Sequence, residues 1–371
     1  MSERLQAPAR WPAIDALRGC IVALMILVNE WAGVAGLPAW LQHVAADVDG
    51  MSVADMVFPG FLFIVGLSLP LALRERGPDL GTLRQVGQRS LGLLVLGLWM
   101  VNADMAPAGW PAPAWLLGGL LAAFAVWGSL RGGPPLAWPW RLLGLLGLVA
   151  LLPLYPGDAQ GRSLLGLHWW GILGLIGWAY ALASLLYLFS PPRWRLAMAL
   201  AALPLCVLWR TLGLEGGAHA THSLLVLSGV ASTLLLQRQE GRGLLGLLAA
   251  LLLAGLVLRP GLGLSKIQAT PAWGLLCAAG TLVLFLLLEQ ALRRAPQGCA
   301  RLFAPLQDAG RHPLLAYLLP YVLGAGLGLL GWQWPPAWGE GVLGLLRGLL
   351  MLGAMLGLLR LLTRAGVGLR L

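Results

Sequence analysis

The side chains able to do chemistry crowd into the first part of this chain: Asp15 and Arg18, then Asn29 and Glu30, then His43, then Asp55. His43 stands between Trp40 and the acidic pair Asp47 and Asp49. A histidine titrates near neutrality, so it can take a proton from an amine or hydroxyl nucleophile. An isolated loop histidine is more often simply solvated. Asp55 follows Ser52 at a spacing where its carboxylate can cap a helix start. A carboxylate can equally hold a histidine in one tautomer, and the residues alone leave both readings open. Asn29 brings a donor and an acceptor, which suit a helix-end cap or an interhelix hydrogen bond as readily as a ligand. Asp15 and Arg18 are spaced to pair on one helix face, either as an ion pair that sets helix depth or as a contact for an anionic ligand. Phe58-Pro59-Gly60-Phe61 puts a proline where it removes a backbone hydrogen bond and kinks a helix. Membrane helices often place such breaks beside a cavity.

The elements that must position these groups are apolar helices. Of 371 residues, 58% are hydrophobic and only 11% charged, with a mean hydropathy of +0.79. A soluble domain carries about a quarter charged residues, and here the deficit extends over the whole length. The pattern predicts an all-α, polytopic transmembrane helix bundle of about ten to twelve helices, one domain over 1–371. The expected spans are 12–33, 53–74, 88–103, 113–130, 141–156, 166–189, 195–213, 219–237, 243–258, 270–292, 312–331 and 341–362. The motif-bearing pair covers about 12–74. No cleavable signal peptide is expected, because the polar, basic start runs straight into a long helix.

The net charge of +10 does not point to nucleic acid, since the arginines sit in short loops between apolar runs. On this span map twenty basic residues fall on one side, and only Arg162, Arg259 and Lys266, the sole lysine, fall on the other. Arg210 and Arg347 lie within helices. The positive-inside rule then puts both termini in the cytoplasm. Trp31, Trp40, Trp110, Trp115, Trp169, Trp170, Trp332, Trp334 and Trp338 gather near the opposite ends, as an interfacial aromatic belt does. The four cysteines, Cys20, Cys206, Cys277 and Cys299, lack metal-ligand spacing, so neither a disulfide nor a zinc site is expected. His219 and His222 share one helix face, but two ligands without a carboxylate make a weak metal site, and no metal is expected.

Taken in order, Asp15 to Gly19, Met25 to Asn29, His43, Ala54-Asp55-Met56-Val57-Phe58-Pro59, and Phe61, Phe63 and Gly66 resemble the heparan-α-glucosaminide N-acetyltransferase family, whose bacterial members include NagX-like proteins. Weaker similarities follow at Glu215-Gly216, at Ser265-Lys266 with Thr270-Pro271-Ala272-Trp273, and at Gly310 to Tyr317. The similarity is strong over about 10–75 and patchy over 210–320. The loop between His43 and Gly50 is about two residues longer than the family's, and His312-Pro313 replaces the family's asparagine and small residue.

The resemblance implies a bacterial inner-membrane enzyme in which cytoplasmic acetyl-CoA N-acetylates a periplasmic amino sugar, glucosamine or a cell-wall-derived one. By the same resemblance His43 matches the catalytic histidine, with Asn29 and Asp55 as its partners. The phosphates of acetyl-CoA need cations at the cytoplasmic rim, for which Arg18, Arg84, Arg89, Arg311 and Arg364 are candidates. Glu30, Trp40 and Lys266 are the expected substrate contacts. The expected partners are the lipid bilayer, acetyl-CoA and the amino sugar, with a homodimer also open and no nucleic acid. The alternatives are an amino-sugar transporter without acetyl transfer, against which the lack of an internal repeat speaks, and a membrane O-acyltransferase with the same histidine logic.

Overall fold

The computed structural model describes residues 11–74, 76–130, 136–158, 165–167, 169–369 and 371. Arg4, Arg10, Arg131, Arg162 and Arg370, five of the charges used to assign topology, lie outside the described residues. All twelve expected segments contain a helix. In chain order the helices are α1 (Pro12–Trp31), α2 (Val53–Ala72), α3 (Leu80–Met105), α4 (Ala112–Trp127), α5 (Trp138–Leu151), α6 (Gly171–Phe189) and α7 (Arg195–Thr211). They continue with α8 (Gly217–Gln237), α9 (Gly241–Leu262), α10 (Pro271–Arg294), α11 (Pro296–Phe303), α12 (Gln307–Arg311), α13 (Pro313–Leu329) and α14 (Gly341–Arg364). The only strands among the described residues are two residues each, Gly128–Ser129 and Gly368–Leu369, paired antiparallel. The protein is therefore an all-α, multi-pass membrane protein. Among the described residues eight helices are long and apolar enough to cross a bilayer, or nine if Pro296–Arg311 and Pro313–Leu329, bent by 81° at their junction, count as one span. The apolar helices α4 and α5 are shorter.

The chain divides into two compact units, each with its own packing. The first comprises residues up to Ile21, Ala39–Val86 and Trp178–Gly310; the second comprises Val22–Pro38, Gly87–Gly177 and Arg311–Leu371.

In the first unit α2 and α8 form the centre. Lipid tails are as apolar as leucine, so helices in a bilayer associate by close packing and interhelical hydrogen bonds rather than by hydrophobic burial. Both devices occur here. Gly66 and Gly229 face each other so closely that a Cβ on Gly66 would lie 1.9 Å from the Val226 carbonyl oxygen, and one on Gly229 would lie 2.2 Å from that of Phe63. Thr233 Oγ1 donates to the Leu67 carbonyl at 2.8 Å. Helix α10 packs on both, burying Trp273 and Phe285 completely. The Trp273 indole donates to the Asp55 carbonyl at 3.3 Å, which anchors the start of α2.

In the second unit α4 packs against α5 and α13. Trp99 stacks on Trp115 with ring centroids 4.0 Å apart. The Asn102 side chain ties α3 to the Gly166 backbone through both its amide and its carbonyl, at 3.1 and 2.9 Å. The chain before α14 is fixed by the bridge between Ala35 and Glu340.

Candidate active site

The site begins with the local physics of a helix start. The first amides of a helix have no intrahelical acceptor. Ser52 is the N-cap of α2, its hydroxyl accepting from the Asp55 amide at 3.3 Å. The Asp55 carboxylate reaches back in return, and its Oδ2 accepts from the Ser52 amide at 3.1 Å. The same oxygen also accepts from the Ser52 hydroxyl at 3.1 Å and from the Val44 amide at 3.2 Å. Oδ1 is left free, and it meets His43 Nδ1 at 2.8 Å. The two readings of Asp55 left open by the residues are therefore both realised, one on each oxygen.

This arrangement defines the imidazole. With Oδ2 saturated by donors, the carboxylate is present in its ionised, acceptor form, so Nδ1 carries the hydrogen and donates to Oδ1. In the neutral ring this leaves Nε2 as the acceptor nitrogen, able to serve as a base. Burial separates the roles: the Asp55 side chain is 2% exposed and that of His43 is 41% exposed. An anion sealed in protein orients a ring that remains open to a reactant.

A second loop completes the site. Residues 43–50 are tied to the last turn of α9 and the segment after it by several contacts: Asp49 accepts from the Leu264 amide at 2.7 Å and pairs with Arg259 at 3.3 Å, and the Gly50 amide donates to the Leu264 carbonyl at 3.1 Å. The Ala46 carbonyl accepts from the Gln268 side chain at 3.0 Å. These ties carry Lys266 to the dyad, with its Nζ 3.4 Å from His43 Nδ1. Because Nδ1–H is already committed to Asp55, the ammonium contributes positive charge here rather than a hydrogen bond to the ring. Burial pushes the Lys266 ammonium below the ordinary lysine range, and the Asp55 carboxylate acts in the opposite direction.

The other expected site residues are placed as follows. Arg18 binds Asp15 at 2.9 Å, the Gly310 carbonyl at 2.8 Å and the Ser68 hydroxyl at 2.8 Å, so its guanidinium straps α1 to α2 and to the end of α12. Gly310, part of the late sequence similarity, is small because the Asp15 carbonyl oxygen would lie 2.2 Å from a Cβ there. Arg84, in the first unit, is exposed, as are Arg89, Arg311 and Arg364 in the second. Trp40 is 59% exposed in the first unit. Asn29 and Glu30 belong to the second unit: the Glu30 carbonyl accepts from the Arg347 guanidinium, and Asn29 lines a cavity with Asp104 and Tyr321. His219 and His222 lie with ring centroids 6.3 Å apart, and His222 is edge-on to Phe58. Among the described residues no group of three or more His, Cys, Asp or Glu side chains is placed to hold a metal. Sequence reasoning passed over Asp104. It stands just past the expected span 88–103, at the end of α3, where no motif marks it.

Comparison with known proteins bears on this same stretch. Residues 10–111, which include Asn29, His43 and Asp55, match the family model described as a domain of unknown function, DUF5009. The heparan-alpha-glucosaminide N-acetyltransferase of Homo sapiens is 35% identical over 115 residues, covering 29% of this chain and 16% of the human protein. The enzyme of the same name from Mus musculus is 32% identical over 114 residues, with 29% and 16% covered. The family resemblance read from the motifs is borne out over part of the chain, and the match spans 16% of the length of either relative.

Proposed function

We propose that this protein is a membrane-embedded N-acetyltransferase that uses acetyl-CoA to acetylate the amine of an amino sugar. The observation that carries the reading is the 2.8 Å contact of His43 Nδ1 with a buried Asp55, in a chain part of which is similar to enzymes named for N-acetyl transfer to a glucosaminide. A dyad held in one tautomer is a general base, and attack on a thioester requires a deprotonated amine. In the proposed reaction His43 Nε2 removes the proton as the amine nitrogen bonds to the acetyl carbon. The carbon–sulfur bond then breaks, and the proton passes from His43 to the departing thiolate. Transient transfer of the acetyl group to the same Nε2 would use the same geometry. Asp55 orients the ring and stabilises the imidazolium that forms. Lys266 supplies positive charge at the dyad, suited to a developing oxyanion. Asn29 enters the proposal through the resemblance alone, as an amide that donates to the thioester carbonyl. Glu30 and Trp40 remain proposed acceptor contacts.

For acetyl-CoA, the exposed guanidinium groups of Arg84, Arg89, Arg311 and Arg364 suit phosphate. Arg18 fits less well, since Asp15, Ser68 and Gly310 already occupy its donors. The positive-inside pattern supports cytoplasmic termini, and the resemblance supports binding of acetyl-CoA from the cytoplasmic side of a bacterial inner membrane, with the acceptor on the other side.

The test uses purified protein in detergent, radiolabelled acetyl-CoA and glucosamine, with wild type and His43→Ala compared. Label is expected in N-acetylglucosamine with wild type, and the substitution should lower the rate by about 10²–10⁴-fold while leaving CoA binding intact. Wild type that binds no CoA would overturn the proposal and favour a transporter. A base-labile ester product would identify an O-acyltransferase instead.

A further inference from the structure

The second unit contains a cavity of about 700 Å3 between the ends of α1, α3 and α4 and the middle of α13, and every residue lining it belongs to that unit. Its volume is that of a small-molecule site, ~300–1,000 Å3. Ala103, Pro113 and Leu116 give it apolar walls, and Asn29, Asp104 and Tyr321 are its polar side chains.

Asp104 is the informative one. Among the described residues it has no ion-pair partner and no hydrogen bond. It stands one residue before the C-terminal end of α3, where the backbone carbonyls of the helix already concentrate partial negative charge. A carboxylate there gains nothing from its own helix. It is exposed and lines the cavity, so an unpaired negative charge is presented to whatever enters there. The hydroxyl-bearing side chain in the same wall is Tyr321, stacked on Tyr317 with centroids 5.6 Å apart. Tyr321 offers a hydroxyl and a ring face, and Asn29 offers an amide that both donates and accepts.

We propose that this cavity captures the protonated amine of a small polyhydroxylated ligand, an amino sugar, with Asp104 on the ammonium and Tyr321 on a neighbouring hydroxyl. The choice of amino sugar rests on the N-acetyltransferase reading; the charge argument does not. The site also tells substrate from product. Acetylation converts a cationic amine into a neutral amide, which has no ion pair to make with Asp104.

The experiment is calorimetric titration of the full-length protein in detergent with glucosamine, without acetyl donor, in a His43→Ala background. Glucosamine is expected to bind, and Asp104→Asn in that background should weaken it by about tenfold or more, the loss of one charge-assisted contact. Tyr321→Phe should weaken binding by a smaller factor, which keeps the test informative if the Asp104 variant proves unstable. Glucose and N-acetylglucosamine should bind at least about tenfold more weakly than glucosamine. Equal binding of glucosamine and glucose, or an unaltered affinity in Asp104→Asn, would overturn the proposal. So would tight binding of a short-chain phosphatidylethanolamine that glucosamine cannot displace, which would make this a lipid headgroup site. Because no acetyl transfer is measured, Asp104-dependent binding in a protein that never acetylates would sink only the catalytic reading. Transfer without Asp104-dependent binding would sink only this one.

Discussion

Replacing Asp55 by asparagine changes one atom and should silence the histidine without unfolding the protein. The reason lies in the unequal surroundings of the two carboxylate oxygens. Oδ2 accepts from the Ser52 amide, the Ser52 hydroxyl and the Val44 amide at 3.1, 3.1 and 3.2 Å. These donors will take the asparagine oxygen and exclude its NH2 group. The NH2 must then occupy the Oδ1 position, 2.8 Å from His43 Nδ1. An amide NH2 can only donate, so it demands an acceptor at Nδ1 and moves the ring hydrogen to Nε2. The base is lost through the wrong tautomer, a change for which an established protease triad shows a drop of about 10⁴ in kcat. We expect a fall of about 10³–10⁴ in kcat for acetyl transfer from radiolabelled acetyl-CoA at neutral pH. The cap keeps its acceptor, so Tm in detergent should move little, well short of the ~1 kcal/mol that loss of a cap costs. Retention of more than about a tenth of wild-type kcat in Asp55→Asn, with His43→Ala inactive, would refute the tautomer argument.

Further outcomes follow from the same structure. Lys266 holds its proton more weakly when folded than when unfolded, so between its lowered pKa and the ordinary 10.5 the unfolded chain binds more protons and stability rises with pH. Lys266→Met should remove that rise in a Tm series taken across alkaline pH. If the ammonium assists transfer, wild-type activity falls on the alkaline side as that proton is lost, and Lys266→Arg shifts the fall to higher pH; an identical pH profile in the arginine variant would count against a role for the charge. Gly229→Ala should destabilise by about 1–3 kcal/mol through overpacking against the Phe63 carbonyl, whereas Gly246→Ala, with no atom within 4 Å of its added Cβ, should leave Tm unchanged. Arg18→Gln should lower Tm by breaking the strap between α1 and α2 while leaving KM for acetyl-CoA in place; the reverse pattern would restore Arg18 to the phosphate site.

Much of this protein was legible without coordinates. The twelve apolar runs became helices because a backbone in hydrocarbon must satisfy its own hydrogen bonds, and length with hydropathy suffices to find such segments. His43 and Asp55 could be singled out because polar groups at membrane helix ends are costly and their spacing carried a family pattern. Ser52 before Asp55 already spelled a cap, since capping is local in sequence. What the sequence could not decide was how the carboxylate divides its oxygens, because that depends on where the loop from His43 to Gly50 returns. That loop is tied down by Asp49, Ala46 and Gly50 against Leu264 and Gln268, more than two hundred residues away in the chain. The same contacts carry Lys266 to His43, a meeting that no periodicity encodes. Arg18 is a phosphate candidate by charge and position, and only the fold shows Ser68 and Gly310 bound to its guanidinium. Asp104 belongs to no motif, and its place in one cavity wall with Asn29 and Tyr321 exists only in the folded chain. The hydrogen-bond economy of single helices is written along the chain, while the pairing of charges between helices exists only once the chain has folded back on itself.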